Sequence, residues 1–186
     1  QVVLPSSERH PQQQKFIDSE FKRIVLRAGR RGGKTVGVSI RSTVRFLKGR
    51  RQLYAAPVAE QTDKFWFEIT KALAPLVDIG VFKKNETERY IEKPGTEQRI
   101  KAKTAWNADT LRGDWADDLY LEECQLMDME EVWGTVGAPM LLDRNGDACF
   151  IYTPPSLLSS GMSRGGDPRY MAKLFKMAQA DTSGRW

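Results

Sequence analysis

The sequence is poor in several features, and each scarcity excludes a class of protein. Its two cysteines, Cys124 and Cys149, lie far apart without metal-like spacing, so neither a zinc site nor a disulfide scaffold is predicted. The single histidine, His10, stands beside Pro11 in an expected loop, where we predict a structural role. No apolar run approaches the roughly 20 residues of a membrane span, and the N-terminal stretch lacks the pattern of a signal peptide. We expect a soluble protein of a reducing cell interior, without membrane contact.

What the chain does contain is enough material for one domain: 186 residues, of which 40% are hydrophobic. The net charge of +5 is modest but unevenly distributed, because the charged residues of the window 15–51 are all basic except Asp18 and Glu20. Its basic residues are Lys15, Lys22, Arg23, Arg27, Arg30, Arg31, Lys34, Arg41, Arg45, Lys48, Arg50 and Arg51. Two interpretations stay open: a polyanionic partner, nucleotide or nucleic acid, or a solvated basic helix face.

Short apolar runs alternate with helical patterns along the chain. Strands are predicted at 23–28, at 52–56, on both sides of the Pro94–Gly95 turn, and within "DDLYLEE" and "DACFIYTPP". Helices are predicted at 36–47, with an apolar stripe of Val36, Ile40, Val44 and Leu47, at about 59–73 with Phe65, Ile69 and Leu73 buried, and within "DPRYMAKLFKMAQA". This alternation predicts an α/β fold with a mostly parallel central sheet flanked by helices.

The stretch "VLRAGRRGGKT", residues 25–35, is typical of a phosphate-binding loop between a strand and a helix. Lys34 is expected to contact the β- and γ-phosphates, and the Thr35 hydroxyl to bind magnesium. Ala28 stands where the usual pattern begins with glycine, which is tolerated if that residue has no positive φ. The remaining predicted phosphate-contacting residues are Gly29, Arg31, Gly32 and Gly33. The alternative is a basic glycine turn in which "GKT" is accidental.

A nucleotide hydrolase also requires carboxylates at the end of another strand. "DDLYLEEC" supplies Glu122 for magnesium and Glu123 for the attacking water. The usual order is Asp then Glu, so Glu122 is one methylene longer than expected, which fits if its strand sits slightly further back. The alternative is a pair of surface glutamates that end an ordinary strand.

With these motifs in order, the chain resembles the ATPase domain of the large terminase subunit, the DNA-packaging motor of tailed bacteriophages. The resemblance covers nearly the whole chain. "HPQQQ" places Gln13 at 21 residues before the loop lysine, where the family has an adenine-recognising glutamine; Gln12 or Gln14 are substitutes. An arginine inside the loop is also typical of the family, here Arg30, with Arg31 as the competing choice.

Later motifs extend the resemblance. "LRGDWADDLYLEE" is the most specific, because family members carry an L-R-G before the acidic pair whose arginine reaches a neighbouring subunit's nucleotide; that position is Arg112. The alternative for Arg112 is a phosphate-backbone contact or an ordinary surface arginine. "FIYTPPS" resembles the family's coupling motif, with Thr153 placed to sense the γ-phosphate.

The resemblance implies a P-loop NTPase of the additional-strand (ASCE) type that uses ATP and Mg2+, with Lys34, Arg30, Arg112 and Glu123 in catalysis. It implies double-stranded DNA as the partner, a homo-oligomeric ring, pentameric by family resemblance, and docking with a portal protein and a small terminase subunit. The expected setting is the host cytoplasm, transiently at the viral procapsid. Residues 1–186 would form one N-terminal ATPase domain, with a core at 1–153 and a mobile loop and start of a lid or linker at 154–186. The family's C-terminal nuclease domain is expected beyond this chain.

Two other functions stay open from the sequence. One is a helicase-like nucleic-acid translocase of the same ATPase class. The other is a non-catalytic DNA-binding module, whose affinity would fall steeply with salt and ignore ATP. The basic stretch 41–51 would then follow a phosphate backbone, or only solubilise a helix.

Overall fold

The computed structural model describes residues 10–29, 31–105, 108–154, 167 and 169–186. Most of the predicted mobile loop, 155–166, therefore lies outside the described residues. The helices and strands are α1 (Pro11–Asp18), β1 (Arg23–Arg27), α2 (Lys34–Leu47), β2 (Gln52–Ala56), α3 (Ala59–Asp78), β3 (Lys83–Asn85), β4 (Tyr90–Glu92), β5 (Arg99–Thr104), β6 (Asp118–Glu122), α4 (Ala138–Met140), β7 (Asp147–Tyr152) and α5 (Tyr170–Ala180). Short 3-10 segments at Ala108–Leu111 and Cys124–Leu126 and a π-helix at Glu130–Gly137 connect them.

The seven strands form one sheet in the order β1-β7-β6-β2-β5-β4-β3. The first five are mutually parallel, and β4 and β3 extend the sheet as antiparallel neighbours. This confirms the predicted mostly parallel α/β architecture. Strand β7 lies between β1, which precedes the glycine loop, and β6, which precedes the acidic pair. An additional strand in that place is the arrangement expected for an ASCE-type P-loop NTPase.

The central strands are buried on both faces, as expected for a parallel sheet covered by helices. Successive residues of β6 show the alternation: Leu119 and Leu121 pack on one face, with the π-helix and α5, and Tyr120 packs on the other, with α2 and α3. Phe65, Ile69 and Leu73 of α3 are buried on that second face, as predicted. In the described part of the chain, no helix combines the length and apolar character needed to cross a membrane.

Three elements differ from the sequence prediction. Helix α3 continues five residues beyond Leu73, with Pro75 inside it, because Leu76 and Val77 pack against the core and offset the hydrogen bond that proline cannot donate. The short helix α1 and the edge strand β3 were not predicted, since both are brief and polar. His10 caps α1, its Nδ1 accepting from the backbone N–H of Gln12 at 3.3 Å.

Helix α2 buries a different face from the predicted stripe. Ile40 is buried, but Val36 and Val44 are only partly buried and Leu47 is 39% exposed. The buried residues are Lys34, Gly37, Val38, Ser39, Ile40, Arg41, Ser42, Thr43 and Phe46. Helices α1 and α3 pack on α2 in addition to the sheet, so its covered arc is wide and takes in polar positions that a one-face pattern places in solvent.

Arg41 is the largest of these buried polar residues, so for this residue both expectations for the basic stretch 41–51, a phosphate contact or a solubilising helix face, were wrong. Its Nη1 donates to three carbonyl oxygens at the end of α1, those of Phe16 (3.2 Å), Ile17 (2.9 Å) and Ser19 (2.6 Å). The last carbonyls of a helix point out of its C-terminal end, where only that of Phe16 accepts a backbone bond, from the Ser19 N–H at 3.3 Å, and a cation suits the negative end of the helix dipole. Arg41 therefore joins α1 to α2 and is not available to a DNA backbone.

Arg45 and Arg50 are also engaged inside the fold, at the amino-terminal edge of the sheet. Arg45 Nε and Arg50 Nε donate to the two carboxylate oxygens of Asp118 at 2.9 and 2.8 Å, and both guanidinium groups reach Asp147 as well. Asp118 is 2% exposed. Burial alone would raise the pKa of Asp118, but the hydrogen bonds from Arg50 and Arg45 outweigh it and hold that pKa below its usual value. This cluster fixes the C-terminal end of α2 to β6 and β7.

We predict that Asp118→Asn lowers the free energy of unfolding at pH 7 by about 3 kcal/mol, because it leaves buried cations underpaired. The folded-state pKa is depressed, so the wild-type advantage is complete above the unfolded value of about 3.9 and is lost as pH falls through the folded value. Urea unfolding of both proteins over a pH series tests this. Glu97→Gln, which removes the exposed partner of Arg144, is the control and is expected to change little. Equal stability of Asp118→Asn and wild type at pH 7 would contradict the prediction.

Candidate nucleotide site

The glycine loop connects the end of β1 to the start of α2. The Ala28 N–H still donates to the Tyr152 carbonyl of β7 at 3.3 Å, so Ala28 continues the strand pairing. Left-handed backbone occurs further on, at Arg31 (φ 60°) and at Gly33 (φ 70°), and not at Ala28. Residue 28 therefore has no positive φ, which was the condition for alanine to replace the usual glycine at this position. Arg30 lies outside the described residues, and Arg31 is exposed at the loop surface.

The Lys34 side chain lies inside this loop and is 8% exposed. Its ammonium donates to the carbonyl oxygens of Ala28 (3.1 Å) and Gly29 (3.0 Å) and to Thr153 Oγ1 (3.0 Å). The Thr153 hydroxyl in turn donates to Glu123 Oε1 at 3.2 Å. A continuous chain of hydrogen bonds thus joins three of the predicted site residues, one from each of three neighbouring strand ends.

Glu123 has a left-handed backbone, φ 55° and ψ 43°, directly after β6. A non-glycine residue in this conformation costs on the order of 1–3 kcal/mol and is typical of functional sites. Gln125 braces the side chain from the other direction: its Nε2 donates to Glu123 Oε2, and its Oε1 accepts from the Thr153 N–H at 3.2 Å. Gln125 was not predicted; its position two residues after the acidic pair was the available signal.

Glu122 is turned inward and is 4% exposed. Thr35 Oγ1 donates to its Oε1 at 2.6 Å, and the Tyr54 hydroxyl donates to its Oε2. Burial raises the pKa of Glu122, although the hydrogen bonds from Thr35 and Tyr54 act in the opposite direction. The sequence did not identify Tyr54 as a site residue, although it lies in the predicted strand at 52–56.

The Thr35 and Glu122 pair fits a magnesium ion. A hydroxyl and a carboxylate are hard oxygen donors, the ligands Mg2+ prefers, and the structure places them 2.6 Å apart beside the loop lysine. These two residues would hold the ion, and their role as its ligands stays a prediction. The extra methylene of glutamate is taken up by the inward turn of the side chain, which reaches both Thr35 and Tyr54.

A cavity of about 660 Å³ lies between α1 and the glycine loop, within the range of small-molecule sites. Gln13 and Gln12 line it together with Arg31, whereas the Gln14 side chain turns to Asp18. Gln13 Nε2 donates to the Gly33 carbonyl at 2.8 Å, so this glutamine also braces the loop. Loop glycines Gly32 and Gly33 contribute to the same wall.

Arg112 does not contact this cluster. It follows the 3-10 segment after β5, and its side chain is 54% exposed and paired with Asp109. Because β5 runs parallel to β2, this segment leaves the sheet at the same carboxyl-terminal edge as the loop. The role of Arg112 in a neighbouring subunit's site therefore stays a prediction.

No family model and no curated protein sequence matches the chain. Solved structures do match. The large terminase ATPase domain of Thermus phage P74-26 superimposes with a TM-score of 0.69 at 21% identity, over 83% of this chain and 68% of that domain. The large terminase of bacteriophage HK97 gives 0.68 at 13% identity, over 96% of this chain and 38% of that protein.

A third match is the large terminase of a thermophilic bacteriophage in complex with ADP, with a TM-score of 0.55 at 16% identity. It covers 76% of this chain and 38% of that protein. The chain thus has the P-loop NTPase fold of the additional-strand type. More particularly, its fold is that of large terminase ATPase domains, which confirms the resemblance suggested by the motifs. The chain spans well under half the length of the two whole terminases.

We predict that Gly33→Ala destabilises the protein more than Gly49→Ala. Both glycines have left-handed φ, 70° and 89°, so each alanine pays about 1–2 kcal/mol for its backbone. A Cβ at Gly33 would lie 2.9 Å from Gln13 Nε2 and would move this side-chain end away from the Gly33 carbonyl to which it donates, whereas one at Gly49 would meet nothing within 4 Å. Urea unfolding should therefore show an excess loss for Gly33→Ala. The excess should disappear when Gln13→Ala is present in both proteins; an excess that persists would place the strain elsewhere.

Proposed function

We propose that this chain is the ATP-hydrolysing motor domain of a viral large terminase, which drives double-stranded DNA into a procapsid. The observation that carries the proposal is the hydrogen-bonded cluster at the carboxyl-terminal edge of the sheet, where Lys34, Thr153 and Glu123 form one chain and Thr35 meets Glu122. The fold shared with terminase ATPase domains supports the same conclusion.

Each residue of the cluster has a distinct task in this proposal. Lys34 and the N–H groups of the loop bind the β- and γ-phosphates, since a glycine loop opening a helix presents donors and positive potential there. Thr35 and Glu122 hold Mg2+, which when bound neutralises charge on the phosphates. Glu123 accepts a hydrogen bond from the water that attacks the γ-phosphorus, and orients it.

Thr153 is placed to report the state of the nucleotide. Its hydroxyl accepts a hydrogen bond from Lys34 and donates one to Glu123. A γ-phosphate that binds Lys34, or changes the position of Glu123, would therefore change the hydrogen bonds of Thr153. Its N–H is held by Gln125, which fixes the end of β7 to the segment after β6. In our proposal the segment after Thr153 carries that change towards the DNA-moving parts.

The adenine base enters the cavity beside α1 in this proposal, with Gln13 at its wall. A glutamine whose Nε2 already braces Gly33 keeps its Oε1 for the exocyclic amine of adenine. By likeness to large terminases, the proposal also includes a homo-oligomeric ring, docking with a portal protein and a small terminase subunit, and a cytoplasmic setting at the procapsid.

We predict that Glu123→Gln retains Mg2+-dependent nucleotide binding but lowers turnover by about 10²- to 10⁴-fold, because the amide is a poor acceptor for the water proton. Lys34→Ala should instead lose nucleotide binding. Binding is measured with a fluorescent ATP analogue and turnover by phosphate release. Glu131→Gln, at an exposed glutamate, is the matched control.

Three outcomes would redirect the proposal. Normal hydrolysis by Glu123→Gln would show that another group orients the water. Equal nucleotide binding by Lys34→Ala and wild type, with salt-sensitive DNA binding, would favour the non-catalytic DNA-binding module. Turnover stimulated by single-stranded nucleic acid, and not by portal and small subunit, would favour the helicase-like translocase.

Arg112 gives a separate prediction about assembly. If it completes a neighbour's site, Arg112→Ala and Lys34→Ala should each be inactive alone, yet their mixture should recover part of the turnover, because one subunit supplies the arginine and the other the intact loop. Phosphate release from the mixture, at protein concentrations that support assembly, tests this. Mixing Arg112→Ala with the Arg112→Ala/Lys34→Ala double variant supplies no arginine and is the control. Equal turnover in both mixtures would exclude a role in the neighbour's site.

A further inference from the structure

A tyrosine outside the phosphate loop and the acidic pair contacts the buried carboxylate of the site. Tyr54 is fully buried in β2, and its hydroxyl donates to Glu122 Oε2. Thr35 occupies the other oxygen, Oε1, at 2.6 Å. The two oxygens of Glu122 are therefore held by donors from two different elements, so the carboxylate cannot turn without breaking a buried hydrogen bond.

The Tyr54 ring is itself held in place. It stacks on Phe65 of α3 with ring centroids 3.9 Å apart and planes 3° from parallel. In the sheet, Tyr54 pairs with Tyr120 and lies two positions before the level of Glu122 along the parallel strands. A rigid aromatic side chain from that position spans the distance to the glutamate, and the other acceptor near its hydroxyl, the Gln61 carbonyl at 3.4 Å, is the more distant of the two.

The length of Glu122 matters to this contact. An aspartate at the same backbone position would withdraw the carboxylate by about 1.5 Å, the length of one carbon–carbon bond. The carboxylate would then lose reach towards Thr35, towards Tyr54, or towards both. Tyr54 thus fixes the additional side-chain torsion angle that Glu122 has in comparison with an aspartate.

We infer that Tyr54 is a positioning residue that orients Glu122 for a divalent cation shared with Thr35, and that Tyr54 and Glu122 act as a matched pair. The inference rests on the proposed function, because it assigns the cation to a nucleotide site. Outer-shell donors to metal-binding carboxylates typically change metal affinity by about 10–100-fold when removed. Tyr54 is expected to fall in this class.

The test is Tyr54→Phe, which keeps the ring stack and removes the hydroxyl. Binding of a fluorescent ADP analogue is titrated with Mg2+, and the half-saturating Mg2+ concentration is expected to rise about 10-fold. Tyr120→Phe is the matched control: Tyr120 is opposite Tyr54, is buried on the same face, and donates its hydroxyl to Gln52 at 3.2 Å instead. Its Mg2+ requirement should stay at the wild-type value, although its stability falls.

A double-mutant cycle with Glu122→Asp separates orientation from a general loss of stability. Both single variants should raise the Mg2+ requirement, and Tyr54→Phe should add little once aspartate is present. Additive effects, or equal Mg2+ requirements for Tyr54→Phe and Tyr120→Phe, would overturn the inference while leaving the proposed function intact. Absence of Mg2+-dependent nucleotide binding in the wild type would overturn both.

Discussion

The parallel pairing of β1, β7 and β6 is the constraint on which the candidate site depends. Arg27 pairs with Tyr152, and Ile151 pairs with Glu122, so the residues that follow these strands emerge side by side at one edge. The glycine loop lies more than 80 residues before both the acidic pair and Thr153, which are 30 residues apart, yet hydrogen bonds of 2.6 to 3.2 Å join them. A shift of one residue in either ladder would reverse which side chains face each other and dismantle the cluster.

The site also concentrates features that a stable core avoids. Glu122 is a buried carboxylate whose pKa is raised by burial, and Glu123 has a left-handed backbone that favours glycine. Neighbouring side chains offset these costs with hydrogen bonds. Thr35 and Tyr54 donate to the Glu122 carboxylate, and Gln125 and Thr153 donate to that of Glu123. Conflict between local preference and the folded state is expected where a protein binds or reacts, and here it falls at one strand end.

Sequence patterns predicted the sheet well, because strands with buried runs leave local signals, and a loop with glycine marks where motif residues are expected to gather. The β2 boundaries, the paired strands around Gly95 and the site placement of Lys34 follow from such signals. The burial of Arg41 and the Tyr54–Glu122 contact left none, since they join residues 25 and 68 positions apart. Hydrophobic periodicity on α2 was misleading for the same reason: it describes one helix face, whereas three elements cover this helix.

Helix α2 is tied to the sheet at both ends, through Lys34 and Thr35 at the nucleotide edge and through Arg45 at the opposite edge. Its 14 residues span about 21 Å at 1.5 Å per residue. Because hydrogen bonds hold α2 at both of its ends, the helix cannot rotate about either end without breaking them. In the proposed motor, helix α2 would therefore be a fixed part of the domain, and a change at the γ-phosphate would not be transmitted by a rotation of this helix.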